Sequence, residues 1–404
     1  MDIWNWLTPR LTKVAETDPR LAWNIRQLSH WTVNDQHDRV DATFPEILAG
    51  VRRLEDPWLE VFVRHWRLQS LVLDRHDVKQ GLPEAIDLLE RAHRDDARDC
   101  PQTTCVSQDV CAAYGCADGP GWAKERLKVS AETLERIDPT WACWTCISGE
   151  YADALIDDGR PEEALVFVQE QLDAMRSAGE EVHSGELAWQ VVDALLTLER
   201  LDEALAICEK AENPLGGSGF ELAKRVETAR CLVALERLDE GEAQLPSVEE
   251  MKVSPSLWED WSRARLNLVW KRREGWTREV RNDLVGMADS LEKRGNVRHA
   301  FRIWYRIGHL DMASGQLVEA QAAEARARAV ALRLRKPCGA DEELASFTSN
   351  WEKLDFPTLP ETREEAQQAA EGGLNMTEAA LLAERFPDWW ELVSGVANTW
   401  RASL

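Results

Sequence analysis

The sequence predicts an all-α fold: a right-handed superhelical solenoid of antiparallel helix hairpins with a C-terminal helical cap. Three observations predict it. The hexapeptide Leu-Glu-Arg-Leu-Asp-Glu occurs at residues 198–203 and again, unchanged, at 235–240, an offset of 37 residues that marks internal repetition. Apolar residues recur at i, i+3, i+4 and i+7 almost throughout, with Gly, Asp or Pro at the breaks and no convincing strand pattern. Small residues recur at Ala85, Ala123, Ala164, Ala204 and Gly241, at intervals of 38, 41, 40 and 37, where the two helices of a hairpin must approach closely.

Taken in order, the periodicity predicts N-terminal helices over 2–16, 19–31 and 41–54. Hairpins follow, pairing 58–76 with 82–98, 103–115 with 120–137, and 140–157 with 160–178. Further pairs join 184–199 to 201–212, 220–235 to 238–250, 256–273 to 276–293, and 297–313 to 316–335. In Gly159-Arg160-Pro161-Glu162-Glu163 a helix-ending glycine precedes a proline suited to a first helical turn, where the two glutamates favour the positive helix end. Pro246 should kink or shorten the helix that holds it. The organisation expected is an N-terminal helical region at 1–56, helical repeats at 57–336, and an acidic cap or tail at 337–404.

Within that stack Trp304, Ile307, Gly308, Gly315, Ala320 and Ala327 follow a spacing of bulky residue, small residue, turn and small residue. Ala152, Leu155, Gly159 and Ala164, then Leu195, Ala204 and Ala211, repeat parts of it. Over residues 57–336 this pattern resembles the tetratricopeptide repeat family. The resemblance implies non-catalytic recognition of a protein or peptide along a concave face. The repeat intervals here exceed the family's usual 34 residues, which predicts longer helices and a less regular superhelix.

Composition limits the function classes. The N-terminus, Met-Asp-Ile-Trp-Asn-Trp, has an acid where a secretory signal has basic residues, and no apolar run approaches the length of a membrane span. Nine cysteines, an odd number without an export signal, favour reduced thiols and a cytoplasmic location. Nineteen tryptophans against three tyrosines suit wedge-shaped gaps between hairpins, each burying about 150–250 Å², although a groove lined by exposed tryptophan is the alternative.

The formal charge of −24 is segmented. Residues 150–250 hold 25 acids and 8 bases, residues 262–336 hold 17 bases and 8 acids, and residues 337–404 hold 13 acids and 4 bases. Arg263, Arg265, Lys271, Arg272, Arg273, Arg278, Arg302 and Arg306 form a basic zone that would meet an acidic partner or hold the acidic C-terminal segment. Trp389, Trp390 and Trp400 belong to a last amphipathic segment that would cap the stack or dock on a partner. The overall field repels nucleic acid, and no recognised binding motif accompanies the bases.

Among sites for chemistry, Cys100, Cys105, Cys111, Cys116, Cys143 and Cys146 fall within 47 residues. Buried structural thiols, a metal site and a redox pair at Cys143 and Cys146 are all open readings. Gly216-Gly217-Ser218-Gly219 lacks the following Gly-Lys-Ser/Thr of a phosphate loop and reads as a loop between repeats. Arg302 and His309 have a spacing seen in some helical ribonucleases, a pattern frequent by chance. No catalytic residue, metal or cofactor is expected. The partner would be a protein or peptide, with an effector enzyme under its regulation as the alternative, and no membrane.

Overall fold

Aspartate caps and first-turn prolines begin several helices. Asp18 accepts from the Leu21 amide at 2.9 Å, and Asp56 accepts from the Trp58 and Leu59 amides at 3.0 and 3.2 Å, with Pro19 and Pro57 next in sequence. In the computed structural model, residues 5–213, 217–252, 254–272 and 275–335 are described, with residues 340, 344, 345 and 362–364 besides. All regular structure among them is helical.

The first five helices are α1 (Leu7–Ala15), α2 (Pro19–Val33), α3 (His37–Arg53), α4 (Pro57–Leu68) and α5 (Val78–Ala92), and a π-helical stretch, Gln69–Asp74, prolongs α4. Next come α6 (Thr103–Leu134), α7 (Trp144–Asp157), α8 (Pro161–Ser177), α9 (Ala188–Thr197) and α10 (Leu201–Lys210). The rest are α11 (Gly217–Ala234), α12 (Leu238–Gln244), α13 (Val248–Met251), α14 (Trp258–Arg272), α15 (Arg278–Lys293), α16 (Val297–Ala313) and α17 (Leu317–Ala331). From α1 to α12 each helix packs on the next in sequence, and so do α15 on α16 and α16 on α17, the closest pairs being α16 on α17 and α6 on α7. The expected pairing of 256–273 with 276–293 is replaced, because α14 packs on α11, α12 and α16 and leaves α15 to α16.

Several boundaries differ from the sequence expectation, α3 starting at 37, α7 at 144 and α9 at 188 among them, and three differences have identifiable reasons. Asp77 caps α5, its carboxylate accepting from the Gln80 amide, so the helix starts four residues before the expected 82. The two helices expected at 103–115 and 120–137 run on as α6, which kinks at Asp118 just before Pro120. Beside Pro246 the helix expected at 238–250 divides into α12 and α13. Ser247 and Glu250 form a capping box at the start of the latter.

One turn recurs from hairpin to hairpin. The Arg200 and Arg237 amides each donate to the carbonyl five residues back, of Leu195 and Leu232, at 2.9 Å, which is the longer bond of a Schellman motif. Glu199 and Glu236, at φ 56° and 62°, take the left-handed position that Gly159, Gly295 and Gly315 occupy in the same turn elsewhere. Arg200 then chelates Glu203, and Arg237 chelates Glu240, with both contacts near 2.7 Å. The small residues fall where two helices touch. Ala85, Ala123, Ala164, Ala204 and Ala320 are all buried, and a Cβ on Gly241 would lie 2.8 Å from Val233 Cγ2.

Tryptophan fills these interfaces. Trp258 and Trp261 are buried in the largest core cluster, and their indole N–H groups donate to the carbonyls of Met251 and Pro246 at 2.6 and 2.8 Å. Pro246 stands in the break between α12 and α13 and Met251 ends α13, so α14 supplies donors to backbone carbonyls at both ends of that short helix.

The chain also meets itself over long range, because α16 packs against α6. The Lys79 amide donates to the Arg294 carbonyl at 2.8 Å, and Arg294 Nη1 donates to the Arg75 carbonyl at 2.6 Å. Asn296 Nδ2 donates to the His76 carbonyl. At the kink of α6, Asp118 accepts from Arg298 Nε at 2.9 Å and from the Arg335 amide at 2.8 Å. Arg335 lies 3.7 Å over the Trp122 ring and reaches Glu125 at 2.6 Å. This clasp turns the row of helices from α6 to α16 into a ring. Among the described residues no helix is long and apolar enough to cross a membrane.

Candidate functional site: a charged cavity inside the ring

The ring surrounds a partly open cavity of about 590 Å³, lined mainly from α6, α7, α9, α11, α14 and α16. Helical spacing puts the lining there. Glu150, Asp153 and Asp157 share one face of α7, and Gln190, Asp193 and Thr197 share one face of α9. Arg126 comes from α6, Arg230 from α11, Glu259, Asp260, Arg263 and Asn267 from α14, and His299 and Arg302 from α16. Among the described residues no tryptophan lines the cavity.

The lining is an alternation of opposite charges. Arg126, almost fully buried, pairs with Asp157 at 2.5 Å and Glu150 at 3.2 Å. Arg230 pairs with Glu227 and Asp193 at 2.7 Å and with Asp260 at 3.0 Å. Arg263 holds Glu259 at 2.7 Å, and Arg302 lies 3.5 Å from the same carboxylate. Burial pushes Glu259 up, but Arg263, His299, Arg302 and Arg306 outweigh it and hold this carboxyl well below the usual range. Burial raises Asp260 to about 7 despite Arg230. It also lowers His76 to about 3 and His299 to about 4, so both imidazoles are neutral at pH 7.

Asp153 differs from the other lining carboxylates. Among the described residues, Glu150, Asp157, Asp193, Glu259 and Asp260 each have an arginine within ion-pair distance, whereas Asp153 accepts only the Gln190 side-chain amide, at 3.3 Å. Burial pushes its carboxyl up to about 8, and Glu150 and Asp193 add to the shift against the pull of Arg126. A cation brought to this point would find a carboxyl with no competing ion pair. Such fixed, opposed charges can orient a polar ligand along the ring and recognise its charged groups one by one.

The residues singled out in the sequence divide among several places. Arg263 and Arg302 reach the cavity. Arg265, Lys271 and Arg272 lie outside it and pair with acids of the preceding hairpin: Arg265 with Glu242 at 3.5 Å, Lys271 with Glu236 at 3.5 Å, and Arg272 with Asp239 at 2.5 Å. The acidic and basic segments thus neutralise one another where α14 packs against α11 and α12. Arg278 is exposed at the start of α15, and Arg306 lies half-buried on α16 beside the field of Glu259. Arg273, Trp389, Trp390 and Trp400 lie outside the described residues. Arg302 opens on the cavity, whereas His309 stacks edge-on against Tyr305 at 4.5 Å and is not part of its lining.

Of the open readings of the cysteine cluster, the metal site lacks its geometry. Four sulfurs do not converge: among the described residues no group of three or more His, Cys, Asp or Glu side chains is placed to hold a metal. Instead Cys105 on α6 meets Cys143, just before α7, with Sγ atoms 2.7 Å apart. Cys111 donates to the Arg126 carbonyl at 3.7 Å, and burial pushes the Cys100 and Cys116 thiols up to about 12. Gly217 to Gly219, expected in a loop, belong to the first turn of α11.

One sequence signal for the cavity passed unused. Asp153-Ala154-Leu155 recurs 40 residues later as Asp193-Ala194-Leu195, and 37 residues beyond Asp193 the equivalent place is Arg230. A polar residue kept at one register of an otherwise apolar helix pattern marks an inward face. No protein-family model, curated protein or solved structure matches this chain.

Proposed function

We propose that this protein is a non-catalytic recognition module, a tetratricopeptide-like superhelix that holds a short peptide segment of a partner within its ring. The supporting observation is Asp153: a half-buried carboxyl without an arginine in a cavity where every other lining carboxylate has one. The cavity volume falls in the range of about 300–1,000 Å³ usual for specific ligand sites. Asn267 and Gln190 add amide groups able to pair with a peptide backbone, as inner-face side chains of helical repeats do. The occupant places an ammonium or guanidinium group, from its N-terminus, a lysine or an arginine, against Asp153.

Affinity selection of a random heptapeptide pool on the immobilised full-length chain, followed by titration calorimetry of the selected peptides, tests this. Binding to Asp153→Asn is expected to weaken at least about tenfold, equivalent to about 1.4 kcal/mol, while binding to Arg278→Ala is unchanged. Binding should also release protons, since a cation beside Asp153 lowers its pKa. Undiminished affinity in both Asp153→Asn and Gln190→Ala would remove the cavity from the account.

A further inference from the structure

Among the described residues two close thiol pairs differ in character. Cys208 and Cys231 lie 3.8 Å apart, a packing distance for two sulfurs in a core. Cys105 and Cys143 approach to 2.7 Å, closer than packing alone brings the other pair. Both belong to the start of a helix: Cys105 is the third residue of α6 and Cys143 directly precedes α7. Each is 5% exposed, walled by Ile147, Leu134 and Trp141. One turn into α7, three residues after Cys143, stands Cys146, the exposed thiol of the cluster, near enough for its charge to act on Cys105 and for that of Cys143 to act on it.

We propose that Cys105 and Cys143 form a reversible dithiol–disulfide pair, and that Cys146 is the entry thiol through which a small disulfide of the glutathione type oxidises it. The Cys146 thiolate attacks one sulfur of oxidised glutathione, forming a mixed disulfide and releasing one glutathione thiolate. The Cys143 thiolate then attacks Cys146 Sγ and expels the second glutathione. Finally Cys105 attacks Cys143 Sγ and returns Cys146 to its thiol. In total two thiols lose two hydrogens to one glutathione disulfide, which becomes two reduced glutathiones. The new bond ties the first turn of α6 to the start of α7, the two helices that supply Arg126 and its acid partners to the cavity.

The thiolate is the attacking species, and the neighbouring Cys143 thiol together with burial pushes the Cys105 thiol well above its ordinary value. Exchange is therefore slow at neutral pH and quickens as the pH rises. In the test, native full-length protein is incubated with oxidised glutathione at pH 8, then denatured, alkylated and peptide-mapped by mass spectrometry. The result expected is a cross-link between the peptides of Cys105 and Cys143, an intact mass lower by two hydrogens, and no lasting glutathione adduct. In Cys146→Ser the same bond forms at least tenfold more slowly, and Cys146→Ala repeats this result if serine perturbs the helix. Recovery of Cys105 and Cys143 as alkylated thiols in the wild type, beside glutathionylated Cys146, would overturn the pair. A bond that forms equally fast without Cys146 would overturn the entry route.

Discussion

Asp153 shows how one residue's surroundings set its charge. Its carboxyl is raised to about 8 by burial, from an ordinary value near 4 in the unfolded chain. Between those values the folded state holds a proton that the unfolded state has released. The contribution of Asp153 to stability is therefore greatest below about pH 4 and falls as the pH rises toward 8. Asparagine imitates the protonated acid without the titration. Asp153→Asn should accordingly gain stability over the wild type as urea unfolding is repeated from about pH 5 to about pH 9. A constant difference between the two proteins across that range would mean that the carboxyl is already ionised in the fold.

At the scale of helices, much of the architecture was legible because turn chemistry and small-residue spacing are local. Gly159, Arg160 and Pro161 declare where α7 ends and α8 begins, and the glutamates that follow suit the helix N-terminus. The repeated Leu-Glu-Arg-Leu-Asp-Glu holds the same turn, with glutamate where glycine stands in the others. That glutamate adopts a left-handed conformation costing about 1–2 kcal/mol for a residue with a Cβ, part of which glycine returns as chain entropy. Glu199→Gly is expected to stabilise the protein by about 0.5–1 kcal/mol, read as a higher urea midpoint with an unchanged slope. A lower midpoint would show that the Glu199 side chain contributes more than its backbone strain removes. The cap at Asp77 was less legible, since Pro83 lies inside the first turns of the helix that Asp77 begins.

Which helix faces meet across the ring was not legible, because that depends on the summed curvature of every hairpin. Arg298 and Asp118 are 180 residues apart, and nothing near either one names the other. The same curvature explains why the basic zone could not be placed from its composition. On α14, Arg265, Lys271 and Arg272 fall beside acids of the preceding hairpin, and among the described residues of the zone Arg263 and Arg302 are those that turn inward. The inward register itself is written in the recurring Asp-Ala-Leu string, which puts Asp153 and Asp193 at one repeat position.

On the scale of the molecule, the clasp at Asp118 decides whether the inner face is a cavity or an open groove. Asp118 and Arg298 are each 3% exposed, so removing the acid leaves a buried guanidinium without this partner. Breaking such a pair costs about 3–5 kcal/mol. Asp118→Ala should lose stability on that order and, with helix content by circular dichroism retained, show a larger radius of gyration in small-angle X-ray scattering. An unchanged radius would mean that the remaining contacts of Arg294, Asn296 and Arg335 suffice to hold the ring.

The central claim is that the charged interior of this ring is where a partner's peptide binds. Hydrogen exchange of the full-length protein, with and without a peptide selected on it, measures this most directly. The account predicts slowed exchange on the inner helices α7, α9, α11 and α14. Slowing confined to the outer helices α8, α10 and α12, with the inner helices unaffected, would contradict it.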